Sequence, residues 1–238
     1  MKNMNMSHGL KYTFIALSLA ISTFSQAAPT EAERARLLAQ QTIDLFSGYS
    51  AEKVIKYGAL IHNLSEKDAR KNYEENLKTN PDTVLADPQK LLIKSLKEQF
   101  SEKDLKLLQP AFEKQFKIQT DAYTSCQLTG KMSQPTPTSY VFPLICQVPT
   151  ANINSLKEPT KAKNESDAAF AARALNMFIQ HLSTAPKQNF ATHLLIHVDK
   201  GMDVLQPELD DNAYFPTSVT NKITGTTQEE LAEENSAE

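Results

Sequence analysis

Two cysteines constrain this chain more than any other feature. Cys126 and Cys146 are the only ones, and they lie at equal distances from Thr136, inside the turn-rich run Ser133-Gln134-Pro135-Thr136-Pro137-Thr138. Folding the chain at Thr136 sets Cys126 opposite Cys146, Leu128 opposite Leu144 and Thr124 opposite Val148. This is the pattern of a β-hairpin clipped by a cross-strand disulfide. The parity agrees. Ile118, Ala122, Cys126 and Leu128 fall on even positions, as do Tyr140, Phe142, Leu144, Cys146 and Val148. Even residues pair with even residues in this register, so these apolar groups share one face. Tyr123, Val141 and Ile145 fall on the other face, which becomes an exposed apolar patch if no helix covers it.

Two prolines test the register. Pro143 would oppose Thr129, and Pro149 would oppose Tyr123. Proline cannot donate to a ladder, so both are expected at non-hydrogen-bonded sites toward the first strand. The cysteine pair then occupies a hydrogen-bonded site, with Cα atoms about 5.5 Å apart. The second strand is expected at the sheet edge, or bulged.

The start of the chain explains why the cysteines should pair. Lys2 and Lys11 precede or open an apolar run from Tyr12 to Phe24, and Ser25-Gln26-Ala27 supplies small residues at a cleavage site. Residues 1–27 therefore read as a secretory signal peptide, cleaved after Ala27. No cysteine stands at that site for lipid attachment, and no later run approaches 18 apolar residues. Export to the bacterial periplasm, or secretion, places the two cysteines where disulfides form. Asn63-Leu64-Ser65 and Asn164-Glu165-Ser166 would be glycosylation acceptors on a eukaryotic route. Losing the leader takes the formal charge from −3 to −5, and the tail's five glutamates account for that excess. The near-neutral body offers no electrostatic footprint for nucleic acid or an anionic membrane.

Residues 28–116 read as helical. Glu31 to Phe46 places Ala35, Leu38, Thr42, Leu45 and Phe46 on one face, and Gly48 follows. Ser50 caps a helix carrying Val54, Ile55, Ala59 and Leu60. Ser65 with Asp68, and Ser101 with Asp104, mark two further starts. Their shared Ser-Glu-Lys-Asp is read as two independent caps. Asp87-Pro88 opens a helix with Leu91, Leu92, Leu96 and Phe100 in line. Pro110 either bends the next helix or opens another that runs to Phe116. Residues 117–225 read as a sheet region with a long polar loop at 152–166. Within it Ser166 caps an amphipathic helix over 167–185, bearing Phe170, Ala174, Leu175, Phe178, Ile179 and Leu182. Ala191 to Asp199 reads as a strand, with Met202 to Leu205 pairing back on it. Tyr214 to Ile223 holds a last strand, and 226–238 forms a disordered acidic tail.

Little of this carries recognisable chemistry. His193 and His197 form an HxxxH pair, but on a strand their imidazoles stand about 13 Å apart at roughly 3.3 Å per residue. They cannot share a metal. His181 and His62 read as solvated. Asp203, Glu208, Asp210 and Asp211 cluster around Pro207, without the spacing or glycine of an EF-hand. GxSxG, SxxK, GxGxxG and P-loop patterns are absent. No catalytic residue, cofactor or metal is implied. The exposed tip, with Lys131, Gln134, Pro135, Thr136 and Pro137, is the candidate partner-binding site.

The expected fold is α+β: a helical N-terminal half packed on a small, mostly antiparallel sheet containing the clipped hairpin, with the helix over 167–185 also covering the sheet. The expected role is non-enzymatic binding of a protein or other component of the cell envelope. The alternatives are a binder of a small apolar, lipid-like ligand held between helices and sheet, and a hydrolase without a signature motif.

Overall fold

The computed structural model describes residues 29–80, 88–150, 156–157 and 159–226. Residues 1–28, on which the expected signal peptide falls, Asp87, the start of the polar loop and the tail from 227 onward lie outside the described residues, as do the side chains of Leu91 and Leu92. The fold is α+β. Five helices come first: α1 (Glu31–Phe46), α2 (Ala51–Ile61), α3 (Glu66–Thr79), α4 (Pro88–Gln99) and α5 (Glu102–Thr124). There follow β1 (Gln127–Leu128), β2 (Ser133–Thr136), β3 (Ser139–Pro149), α6 (Asp167–Thr184), β4 (Lys187–Asp199), β5 (Val204–Pro207) and α7 (Thr217–Thr224). The strands make one antiparallel sheet in the order β1-β3-β4-β5, with β2 also on β3. Among the described residues no helix is long and apolar enough to cross a membrane.

The helix starts follow from local chemistry. Thr30 and Glu33 form a reciprocal capping box on α1. Ser50, Ser65, Ser101 and Ser166 each accept from the backbone N–H three residues on. Each such cap contributes about 1 kcal/mol. Pro110 lies inside α5 and does not end it.

The cysteines are joined, Cys126 to Cys146, and β1 pairs with β3 in the register read from symmetry: Leu128 opposite Leu144, Gln127 opposite Ile145. Four expectations around them need correction. The first concerns Ile118 to Thr124, which is not a strand but the last two turns of α5. Ile118 and Ala122 are four apart, a spacing that suits even parity and one helical turn equally. Helix is favoured there by an ion pair from Lys117 to Asp121 and by burial of Tyr123 in the core, edge-on to Phe46 and Phe215. Tyr123 therefore does not belong to the outer sheet face.

The second correction concerns hydrogen bonding. Thr129 N–H donates to the Pro143 carbonyl at 2.8 Å, so odd residues of β3 present their backbone groups to the β1 side. The cysteine pair is thus at a non-hydrogen-bonded site, and its Cα atoms are 4.0 Å apart. The third follows directly. β3 is not an edge strand but the centre of the sheet, paired with β4 along its whole length, Ser139 opposite His197 through Pro149 opposite Lys187. Val198 N–H to the Thr138 carbonyl and Thr150 N–H to the Pro186 carbonyl show that even pairs carry the bonds on that side. Both prolines are odd. Their missing donors fall on the side of the two-residue β1, and the β4 ladder is intact.

The fourth correction is at the end of the chain. Tyr214 to Ile223 is not a strand. Tyr214 makes an isolated bridge to His193, and Thr217–Thr224 is α7, closed by Gly225 at φ 72°. Val219 and Ile223 are four apart and both buried, which is again compatible with either period.

The main core forms where α1, α5 and α7 meet the inner face of the sheet. Leu38, Ile43, Ala122, Phe142, Leu144, Leu194, Ile196 and Phe215 are all nearly inaccessible. The helix α6 packs chiefly along α5, through Ala168 and Ala172 against Leu108. It does not lie over the sheet, although Leu182 reaches the main core. Glu165 anchors the polar loop to α6 by a two-pronged bond with Arg173 at 2.9 and 2.8 Å. That partner, with the Ala162 N–H, holds the Glu165 carboxyl down at about 2.

The disulfide closes a loop of 20 residues. Replacing both cysteines by alanine should cost roughly 3 kcal/mol on the chain-entropy account. Thermal unfolding should then show Tm lower by roughly 6–12 °C for a chain of this size. An unchanged Tm would mean that the staple contributes nothing to stability.

Candidate interaction surface

The tip is built differently from a simple turn. Ser133 pairs with Val141 and Thr136 with Ser139, so β2 is an extended edge strand, and the register shifts between those two pairs. The chain turns at Pro137-Thr138. The Thr136 hydroxyl accepts from the Thr138 N–H at 3.3 Å and lies 2.6 Å from the Ser139 hydroxyl. The turn is therefore held by its own side chains. At its base the Tyr140 hydroxyl donates to Glu31 at 2.8 Å, tying the hairpin to the start of α1. Burial and the neighbouring Glu31 carboxylate push the Tyr140 phenol above its ordinary value. Lys131, Gln134, Pro135, Thr136 and Pro137 are all exposed, on or beside β2.

The outer face of the sheet continues from this tip. Val141 pairs with Leu195, Pro143 with His193 and Ile145 with Ala191. Ala191, His193 and His197 are exposed, and Ile145 keeps 39% of its surface. The inward neighbours Leu144, Cys146, Leu194 and Ile196 keep at most 1%. That alternation means no described helix lies over the outer face. Val141 and Ile145 are on it, as the parity requires.

The histidines and acids of the sequence reading do not converge. His193 and His197 are on one face of β4, two positions apart on that face. His197 Nε2 lies 3.5 Å from Glu208, and neither histidine hydrogen-bonds a serine among the described residues. Asp211 accepts from the Ala213 N–H. Asp203 is drawn away to Arg34, 169 residues earlier, whose buried guanidinium donates to its carboxylate at 2.6 Å and to its carbonyl at 3.2 Å. Asn63 donates to the other carboxylate oxygen at 2.7 Å. No three His, Cys, Asp or Glu side chains among the described residues gather where a metal ion could sit.

Local sequence does not reveal the Arg34–Asp203–Asn63 cluster. A faint signal exists in Asn63 and Asp203 themselves, two residue types that tolerate the left-handed region, at φ 49° and 53°.

No protein-family model matches the chain, and no curated protein matches it. Among solved structures there is a likeness to the crystal structure of a putative lipoprotein, ycdA, from Bacillus subtilis subsp. subtilis str. 168. The identity is 10% and the TM-score 0.35, over 76% of this chain and 55% of that one. The chain spans about half the length of that protein, and the likeness carries neither a fold nor a role across.

Asp203 supplies a pH test. The Asn63 amide first, and then the Arg34 guanidinium, hold its carboxyl below the ordinary 3.8. A depressed folded-state value stabilises above the ordinary value and is lost as pH falls through the lower one. Asp203→Ala should therefore lower the urea midpoint at neutral pH, and the gap to the parent should narrow as the pH falls below the ordinary carboxylate value of 3.8. A gap of equal size at neutral pH and in acid would show that the charge plays no part.

Proposed function

We propose that the mature chain acts outside the cytoplasm, in a bacterial periplasm or beyond the cell, as a non-enzymatic protein that binds an envelope protein through its hairpin. The compartment reading rests on the cysteines. Both are buried and joined to each other, the state favoured in an oxidising compartment, and they follow a leader-like N-terminus.

The binding reading is carried by one observation. An exposed row on the central strands, Ile145 with Ala191 and His193, runs up to a tip whose residues 133–138 are all exposed. Rigid β-structure supports both, so little conformational entropy is lost when a partner covers them. A half-apolar surface of this kind suits a folded protein partner with its own apolar patch.

Site-specific photo-crosslinking in cells tests this. A photoreactive residue at Gln134 or Ile145 should give one and the same discrete adduct, and the same residue at exposed Lys67 on α3 should give none. Ile145→Asp should cost about 1 kcal/mol of stability, leave the chain folded and remove the adduct from position 134. Equal labelling from all three positions, or none from any, would sink the reading.

A further inference from the structure

β4 has a neighbour on each side over only part of its length. It bonds to β3 through its even residues, so the backbone groups of its odd residues point the other way. On that side His197 pairs with Gln206 of β5. The Leu195 carbonyl accepts from the Glu208 N–H and the His193 carbonyl from the Phe215 N–H, both at 2.8 Å. Before His193 the cover stops. Among the described residues no strand runs beside residues 187–191 on that side, and the outward backbone groups of Lys187, Asn189 and Ala191 have no partner there. An edge of this kind is a template for a further strand.

A second observation shows what lies within reach of it. A hollow of about 250 Å³ opens beside this edge, between β4 and α7, lined by Phe190, Ala191, Ser218, Lys222 and Thr226 among others. Thr226 is the last described residue, and its place is fixed. Its N–H donates to the Asn221 carbonyl at 3.1 Å, and its hydroxyl lies 2.8 Å from that of Thr224. Residues 227–238 therefore start at the rim of the hollow. They carry five glutamates and no Lys, Arg or His. The hollow is complementary in charge: Lys222 and His193 line it, and no Asp or Glu does among the described residues. Lys187 is exposed at the far end of the open edge.

Direction and length agree. From the rim the chain cannot follow β4 toward Asp199, because Tyr214 and Phe215 already hold His193. The free course runs toward Lys187, antiparallel to β4. Five residues at roughly 3.3 Å each cover it. Residues 227–238 contain no proline, so each keeps a donor for a ladder. Glutamate is a poor strand former, but a segment tethered at its own docking site acts at an effective concentration of about millimolar. A short closure also loses little entropy.

We propose that residues 227–231 dock on the open edge of β4 as a further antiparallel strand, with Glu229 and Glu230 drawn to Lys187 and Lys222. The segment then covers this edge against pairing with other chains. The contact does not depend on the hairpin's role.

Residue-resolved amide exchange tests it, on the mature chain and on the same chain ended at Thr226. The Asn189 and Ala191 amides should exchange on the order of tenfold more slowly in the mature chain. The Phe190 and Thr192 amides, which bond to β3, should be equally protected in both and report an intact sheet. Glu229→Lys with Glu230→Lys should remove most of the protection at Asn189 and Ala191, and adding Lys187→Glu with Lys222→Glu should restore it. Equal exchange at Asn189 and Ala191 in the two chains would overturn the proposal, as would protection that survives the glutamate changes. Protection that rises with protein concentration would place a second copy on the edge and overturn it as well.

Discussion

The side of β3 on which each backbone donor falls determines the rest of this structure. Even residues bond toward β4 and odd residues toward β1. Pro143 and Pro149 are odd, so a strand with two prolines can still sit at the centre of the sheet. The same parity turns Tyr140, Phe142, Leu144, Cys146 and Val148 inward against α1, α5 and α7. A slip of one residue would do two kinds of damage at once. It would put both missing donors into the long β4 ladder, and it would expose five core side chains, at roughly 2 kcal/mol for each large one. The disulfide adds to that specification because it joins two even positions and closes only in this register.

Much of the fold is legible in the sequence because it is written in short-range signals. Four serine caps can be read directly, and the symmetry about Thr136 gives both the cysteine pairing and the Leu128–Leu144 register. The two misread elements share one cause. A separation of four is an even number and also about one helical turn, so Ile118–Ala122 and Val219–Ile223 satisfy both periods. Packing decides between them. Tyr123 can meet Phe46 and Phe215 only if α5 continues, and Phe215 is held at the core by the segment leading into α7. The place of β3 was illegible for another reason. Proline shows that one side of a strand lacks donors, but not which neighbour lies on that side.

The candidate surfaces divide in the same way. The tip residues are visible in sequence because Pro, Thr and Ser signal exposure and turning by their own chemistry. Val141 and Ile145 are visible by parity. Arg34 is not, since nothing around it in sequence distinguishes a buried guanidinium from a solvated one on a helix that also carries Arg36. Its partner Asp203 was grouped with the nearby acids, because a sequence ranks neighbours by position along the chain.

The Arg34 cluster also explains how a weakly packed helix pair stays in place. Of α3, only Ala69 is buried, and its cluster with Ile55 and Ala59 is small. Such a unit has a lower free energy of local opening than the sheet core. What fixes it is the joint between α2 and α3, where Asn63 adopts the left-handed conformation and holds Asp203, itself left-handed, against Arg34. Each left-handed residue costs about 1 kcal/mol, and the buried guanidinium needs its acceptors, so the three residues support one another. The joint pins one end of α3, and Arg70 of α3 adds a two-pronged bond to Glu52 of α2 at 2.8 and 2.7 Å.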